Sequence, residues 1–380
     1  MSTELIDTVD GSTQWSEHYD RPYGDLFALQ DEITRAVTAT LRTKLLPGEV
    51  ATVQSERPPG GSLEAYNAML QGRFYALKDT EADTREAIDY YTQATQLDSR
   101  YALAWSRLSI AWIGLAEQFV DAAQARAAYG KAREAAERAL ALAPDLALAH
   151  SARGSVFQTA DFNWPGAEAE YRRALALAPN DGEMKFVLGS LLASYGKVEQ
   201  AIDLTRKALA TDPLHSTWYN YLAEYLLGLD RLDEAEQAVQ KAIELQPASA
   251  SNHYTLTLVE IRRGHAQAAL EAAQQENPGA WRDVSLALAR QIGGDQAAAD
   301  AALRTMVEKY ADVAAYQIAQ IQAARNDADA TFEWLDRAWG SRDPGISTLL
   351  YDPLILKYKD DPRFAAFCRK VGLPAPAHLR

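Results

Sequence analysis

Cysteine is almost absent from this chain. Its 380 residues include a single one, Cys368, so no disulfide can form within one copy. A chain that manages without disulfides fits a reducing compartment. The first seven residues, Met1 to Asp7, lack both the basic residues and the apolar run of a secretory signal. We therefore expect a cytoplasmic protein.

Long uncharged hydrophobic runs are also missing. The most apolar extended window, Tyr101 to Val120, contains Arg107 and Glu117. A membrane-spanning helix needs about 20 predominantly apolar residues, with few or no charges. The window therefore predicts a buried helix, and we expect no association with a membrane.

Basic residues are outnumbered by acidic ones. The chain has 38 Lys and Arg against 52 Asp and Glu, a formal net charge of -14. A field of that sign repels the phosphate backbone of nucleic acids. We expect no direct binding of nucleic acid.

The patterns of catalytic, metal and cofactor sites are absent as well. None of the six histidines has a second one four positions away on a helix, as a zinc site would require. No glycine loop has phosphate-binding spacing. Cys368 has no histidine near it in sequence, which favours a structural thiol. Because no nucleophile, base and oxyanion donors occur together, we predict no enzyme activity, no cofactor and no metal.

Regular repetition is what the chain does contain. Leu188, Leu192, Ala201, Ala208 and Pro213 recur 34 positions later, as Leu222, Leu226, Ala235, Ala242 and Pro247. A 34-residue period with small residues at fixed places indicates a helix–turn–helix unit that buries its apolar face only by stacking on its neighbours. The eight tryptophans and 18 tyrosines are then mostly helix-packing residues.

The periodicity divides the chain into four segments. Residues 1–46 predict a β-hairpin around Asp10-Gly11 followed by one helix, and 47–62 predict a linker rich in Pro and Gly. Residues 63–340 hold about eight helix pairs. Residues 341–380 predict short capping helices that begin at the Asp-Pro steps 343, 352 and 361. The fold class is all-α, an α-α solenoid with a small N-terminal hairpin plus helix.

Three local features depart from the regular pattern of the array. The stretch between the helices of the second unit, Glu117 to Ala128, is longer than usual. Trp164-Pro165 falls in the loop of the third unit, where we expect it to fix the turn. Pro278 arrives early and shortens the second helix of the sixth unit.

The units resemble tetratricopeptide repeats over residues 63–340. A narrower resemblance covers residues 4–8, 14–21 and 25–33, which look like the end of a TolB-like domain. Residues 161–168, 361–364 and 371–374 look like the repeats that follow that domain in bacterial regulators. Such regulators begin with a winged-helix or nucleotide cyclase domain, and this sequence contains neither. The resemblance implies a sensing or partner-binding half of a regulator.

The tetratricopeptide resemblance implies that the first helix of each pair lines a concave groove. Carried onto this chain, the groove takes its residues from the third to sixth units: Ser151, Ser155, Gln158, Phe186, Ser190, Asn220, Glu224, Tyr254, Leu258 and Arg262. Phe186 and Tyr254 are expected to be apolar anchors, and Asn220 to hold a peptide backbone. The places of a carboxylate clamp mostly carry Ser, Thr, Glu and Phe, so no such clamp is expected. The alternative is that these residues fill the superhelix or touch the capping helices.

Two functions remain open from the sequence. The first is a non-enzymatic scaffold that binds peptide or protein partners in its groove, as the effector or sensing part of a bacterial regulator in signalling or transcription. The second is a self-associating structural adaptor, in which the edge of the N-terminal hairpin pairs with another copy to form a homo-oligomer.

Overall fold

The computed structural model describes residues 2–6, 11–19, 26–40, 56–78, 80–118 and 121–375. Within them the chain is a succession of antiparallel helix pairs preceded by one hairpin. The hairpin strands are β1 (Ser2–Ile6) and β2 (Thr13–His18). The predicted Asp10 of the turn, the predicted helix end at Pro47-Gly48, most of the predicted linker and the last five residues lie outside the described part.

The helices follow in the order that the repeat predicts. Their bounds are α1 (Leu26–Thr40), α2 (Leu63–Ala76), α3 (Glu81–Leu97), α4 (Ala102–Gln118), α5 (Ala122–Leu142), α6 (Ala147–Ser155), α7 (Trp164–Leu177), α8 (Gly182–Ser194), α9 (Val198–Leu209), α10 (Ser216–Gly228), α11 (Leu232–Leu245), α12 (Asn252–Arg263), α13 (Ala266–Gln275), α14 (Ala280–Ile292), α15 (Gln296–Tyr310), α16 (Ala315–Ala324), α17 (Ala328–Ser341) and α18 (Pro362–Lys370).

Small residues set the spacing within each pair. A side chain on Gly154 of α6 would put its Cβ 2.6 Å from the Tyr171 ring of α7. In the first pair, Gly72 of α2 stands in the same relation to Tyr91 of α3, at 2.5 Å. These distances are far inside van der Waals contact, so only glycine allows the two helices to approach this closely. The tyrosine then fills the space that the missing side chain leaves.

Two of the three Asp-Pro steps begin helical segments. The Asp343 carboxylate accepts from the backbone N–H of Gly345, at the start of a 3₁₀ turn over Pro344–Thr348. Asp361 accepts from the N–H of Arg363 and caps α18. Asp352 is different, because it caps an irregular turn by accepting from Leu354, 2.8 Å away, and a 3₁₀ turn starts only at Leu356. The capping prediction was wrong at this step.

The second unit also differs from expectation. No long connection separates its helices: α4 continues to Gln118 and α5 begins at Ala122, with Asp121 accepting from the N–H of Ala123 and Gln124. The extra residues lengthen the helices, because the stretch after Asp121 is rich in alanine, the strongest helix former. By contrast, α13 spans only 10 residues, as the early Pro278 indicates.

The array curls far enough for distant units to meet. Arg107 of α4 forms a bidentate ion pair with Glu183 of α8, with N–O distances of 2.8 and 2.9 Å. The Gln246 side chain donates to the backbone carbonyl of Leu77, 169 positions earlier, at 2.9 Å. These contacts hold units that are distant in sequence close together and so reduce the width of the concave groove of the solenoid.

The C-terminal segment, residues 343–373, turns back into the curl. Trp164 was expected in a loop, but it is the first residue of α7. Its indole is 2% exposed and donates to the carbonyl of Val371, 2.7 Å away. The expectation was wrong because Asn163 caps α7, so that the helix begins at Trp164. In this position the Trp164 indole binds the C-terminal segment. Phe162 stacks on Trp339 of α17 with ring centroids 5.4 Å apart.

The N-terminal elements are small. β1 and β2 pair antiparallel with Leu5 opposite Trp15 and an irregularity between Leu5 and Ile6. Helix α1 contacts the first pair, where the Phe27 and Tyr66 rings meet edge to face at 5.3 Å. Arg57 forms an ion pair with Asp31 at 2.9 Å. None of the helices in the described part of the chain combines the length and the apolar composition of a membrane span.

Candidate binding groove

The curl encloses a groove of about 1590 Å³. The first helix of most pairs lines one side, and the C-terminal segment lines the other. The predicted groove residues that line this cavity are Ser151, Ser155, Gln158, Phe186, Ser190, Asn220, Glu224, Tyr254 and Leu258. The structure therefore brings together residues from four successive units.

Arg262 is the predicted groove residue that lies elsewhere. It is near the end of α12, and its guanidinium donates to the Asp230 carboxylate at 2.7 Å. Asp230 occupies the turn between α10 and α11 with a φ of 60°. This ion pair directs Arg262 to the edge of the array, away from the cavity, so its placement in the groove was wrong.

Tyr254 lines the cavity but is largely covered by the protein's own residues. Its ring is 6% exposed, and its hydroxyl donates to the Gln320 side-chain oxygen at 2.9 Å. The Gln320 amide in turn donates to Asp352 of the C-terminal segment at 2.7 Å, and Tyr316 donates to the same carboxylate at 3.0 Å. Residues of the protein itself therefore cover Tyr254, one of the two side chains expected to anchor a partner. From the sequence, Asp352 was predicted only to cap a helix.

Phe186 remains accessible from the groove. It is half-buried and contacts Trp218 at 5.6 Å and Tyr221 at 5.3 Å between ring centroids. His215 stacks flat on the Trp218 indole at 4.0 Å, and burial lowers the pKa of its imidazole. Four aromatic rings thus form a continuous apolar wall. His215 and Trp218 were not predicted for the site, although they flank Thr217, which lies at a groove place in the same unit.

The third unit contributes a polar wall. After α6 the backbone widens to a π-helix over Val156–Ala160, a feature that often occurs at functional sites. The Tyr171 hydroxyl donates to the Gln158 oxygen at 2.9 Å. Glu117 of α4 faces Thr159, and burial raises the pKa of its carboxyl to about 7. The Ser151 hydroxyl is buried without a hydrogen-bond partner among the described residues.

Glu224 lies on the inner face of α10. Its carboxylate accepts from the Asn220 amide at 3.3 Å. Burial raises its pKa to about 8, and the nearby negative charge of Asp352 acts in the same direction. A carboxyl in such surroundings binds a proton near neutral pH unless a cation approaches it.

The lining as a whole is acidic. Within the described part of the chain it includes eleven Asp and Glu and six Lys and Arg. Several of the cations are already engaged, since Arg107 pairs with Glu183 and Arg73 with Glu56. Leu77 and Leu214 also line the groove and are 63% and 72% exposed. The cavity therefore combines a negative interior with exposed apolar side chains.

His150 and Cys368 lie in structural surroundings. His150 is held between the Glu170 carboxylate at 2.7 Å and the Pro144 carbonyl at 2.8 Å. Cys368 is buried in α18, and burial raises the pKa of its thiol to about 12. No group of three His, Cys, Asp or Glu within the described ranges is arranged to hold a metal ion.

The repeat itself is recognised by comparison with known families. The model for the tetratricopeptide repeat matches residues 163–213 and 195–250. Residues 163–250, less than a quarter of the chain, thus match the tetratricopeptide repeat. The neighbouring helix pairs share their antiparallel geometry, so the described array is a tetratricopeptide-like solenoid.

One curated relative is similar over part of the chain. It is a protein of Rhizobium meliloti (strain 1021) named "Putative adenylate cyclase 3", 33% identical over 112 residues. That stretch covers 29% of this chain and 18% of the relative. The chain thus matches less than a fifth of the relative's length, and the activity in that name belongs to the relative.

Several solved structures are similar to this chain at low identity. PilF of Pseudomonas aeruginosa is 19% identical with a TM-score of 0.43, over 60% of this chain and 99% of that one. PilW, a type IV pilus biogenesis factor, is 20% identical with a TM-score of 0.41, over 56% and 92%. A repeat protein of Parabacteroides merdae is 16% identical with a TM-score of 0.44, over 57% and 88%.

Proposed function

We propose that this protein is a non-enzymatic scaffold whose tetratricopeptide groove binds a peptide or an extended segment of a partner protein. The observation that carries the proposal is the groove itself, which is lined by residues of four successive units and retains about 1590 Å³. Tetratricopeptide arrays present extended concave surfaces of this kind for binding.

The aromatic wall gives the groove a place to bury a partner side chain. The Phe186 ring contacts both Trp218 and Tyr221, and Phe186 and Tyr221 are only partly buried. Aromatic side chains in desolvated pockets dominate the energy of interfaces. We expect the main contacts of a partner here, beside the C-terminal segment rather than at Tyr254.

A displayed random dodecapeptide library, selected on the full chain, tests the proposal. Thr217 lines the groove next to Trp218, so the bulk of Thr217→Trp should obstruct the aromatic wall and exclude the selected peptides. The matched control is Gln237→Trp, because Gln237 is exposed on α11 and lies outside the lining. If no peptide is enriched, or if both variants bind equally well, the groove is not the binding site.

The proposal extends to the cellular role, as a cytoplasmic effector or sensing part of a bacterial regulator. Partial similarity to a much longer cyclase-named protein and the TolB-like segments at the N-terminus support it. An immunoblot of source cells with an antibody against the repeats provides the test. A cytosolic band well above 41.8 kDa agrees with a regulator, whereas a band at that mass favours a stand-alone adaptor.

Self-association through the hairpin is the second candidate. Within the described residues the sheet contains only β1 and β2, and Ile6 at its edge is 52% exposed. An exposed strand edge of this kind is a template for pairing with another chain. Sedimentation of wild-type protein and Ile6→Lys distinguishes the cases: a monomer at all concentrations removes this candidate.

A further inference from the structure

Glu224 lies in the groove with little to balance its charge. Its carboxylate is only partly accessible and accepts a hydrogen bond from the Asn220 amide at 3.3 Å. The Thr255 hydroxyl also faces it. No Lys or Arg among the residues that the structure describes forms an ion pair with it, in contrast to Glu183 of α8, which is paired with Arg107.

Asn220 provides a second, unused acceptor at the same place. Its side chain is 4% exposed and lines the groove. Its amide nitrogen points to Glu224, and its Oδ1 has no hydrogen-bond partner within the described ranges. Buried polar groups are hydrogen-bonded in the great majority of cases. An unpartnered oxygen beside a carboxylate therefore points to a ligand that carries several N–H donors.

Asp352 of the C-terminal segment adds negative charge near Glu224, but its own oxygens are not available to bind a cation. Asp352 accepts hydrogen bonds from Tyr316, Gln320 and the N–H of Leu354, so its oxygens are already used. Its charge nevertheless acts on Glu224. The excess of acidic over basic side chains in the lining adds to this field. Such a site attracts a positive group and repels an acidic peptide.

We propose that the groove binds its peptide partner through a lysine or arginine side chain held between Glu224 and the free oxygen of Asn220. This inference rests on the proposed function and specifies the chemistry of the partner. A guanidinium or ammonium supplies the missing donors and compensates the buried carboxylate, which makes a charge-assisted hydrogen bond.

Sequencing of the peptides selected on the full chain tests the inference. Peptides retained by the wild-type protein should be enriched in Lys or Arg at one position. The affinity of a selected peptide, measured by fluorescence anisotropy, should fall about tenfold or more in Glu224→Gln, since hydrogen bonds to charged groups contribute about 1.5–3 kcal/mol. Glu137→Gln is the control: Glu137 is exposed on α5 outside the groove, and its exchange should leave affinity unchanged.

The two proposals fail in different ways. In one outcome, Thr217→Trp excludes the selected peptides, and yet they show no enrichment of Lys or Arg, or bind Glu224→Gln as tightly as wild type. Either result would overturn the proposed basic anchor but leave the scaffold proposal intact. No enriched peptide at all would overturn the scaffold itself. If circular dichroism shows that Glu224→Gln does not fold, Asn220→Leu provides the test instead. This exchange removes the free oxygen of Asn220 and keeps the Glu224 carboxylate. An unchanged peptide affinity in Asn220→Leu would overturn the basic anchor.

Discussion

The Trp164 indole donates a hydrogen bond to the Val371 carbonyl across 207 positions of the chain, with an N–O distance of 2.7 Å. Trp164 begins α7 in the third unit, whereas Val371 follows α18. The bond attaches the C-terminal segment to the middle of the array. Together with the contact of Tyr351 with Tyr225, at 5.3 Å between ring centroids, it defines one side of the groove.

Trp164→Phe should lower the free energy of unfolding by about 1–3 kcal/mol, because it leaves the buried Val371 carbonyl without its donor. Urea unfolding measures the change. Trp105→Phe is the control, since the Trp105 indole donates to the Ser99 carbonyl at an exposed position, where water replaces the lost donor. Equal effects of the two exchanges would contradict a special role for the Trp164 contact.

Gly228→Ala should displace the C-terminal segment. A Cβ on Gly228 would overlap the Tyr351 carbonyl and lie 3.0 Å from the Tyr351 Cβ. Such overpacking typically costs about 1–3 kcal/mol. Thermal unfolding checks this against Gly130→Ala, where an added Cβ meets nothing within 4 Å. The control should gain up to about 1 kcal/mol, because alanine is the better helix former; a stabilised Gly228→Ala would refute the prediction.

Stability should fall with rising pH in a way that depends on Glu224. Its carboxyl has an ordinary pKa of 4.5 in the unfolded chain and a pKa of about 8 when buried. The folded state therefore holds a proton that the unfolded state releases, so its stabilising contribution is present below pH 4.5 and is lost as the pH rises towards 8.

Glu224→Gln does not titrate, so its stability relative to wild type should increase from pH 5 to pH 8. The increase should be about 3–4 kcal/mol, since wild type loses about 1.4 kcal/mol per pH unit between the two pKa values. Chemical denaturation at both pH values measures it, with Glu137→Gln as the exposed comparison. Parallel pH profiles of wild type and Glu224→Gln would show that Glu224 is ionised in the folded protein.

The Cys368 thiol should be unreactive in the folded protein. It is buried in α18, and burial raises its pKa to about 12, so the thiolate is scarce at pH 8. We expect iodoacetamide to label it only as the C-terminal segment opens. Labelling should accelerate in Gly228→Ala and stay slow in Gly130→Ala, as followed by mass spectrometry. Rapid labelling of wild type would mean that the segment is not seated in the groove.

Much of the array could be predicted because its determinants are local. The small residues at fixed spacing, such as Gly154 before Tyr171, specify close helix pairs within a single unit. The Asp residues at 343 and 361 cap the segments that follow them by bonds to nearby N–H groups. Two predictions failed because one local signal outweighed another. The alanine-rich stretch after Asp121 extends α5 across the expected loop. Asn163 caps α7, so Trp164 belongs to the helix and not to the loop before it.

The candidate site was only partly predictable for a related reason. The places of groove residues such as Phe186 and Glu224 follow from the repeat register. Their surroundings do not, because Asp352 and Gln320 reach Glu224 and Tyr254 from units far along the chain. A residue in register can be accessible, like Phe186, or covered by the protein itself, like Tyr254.

The sequence by itself determined the repeat, the helical fold class and the face of each helix that turns inward, since these depend on spacing within about 34 residues. The tertiary structure decided how far the solenoid curls, that the C-terminal segment enters the curl, and which inward residues remain free. The physical reason is that curvature is the sum of small rotations between successive units. Only when they are summed do Trp164 and Val371 come within hydrogen-bonding distance.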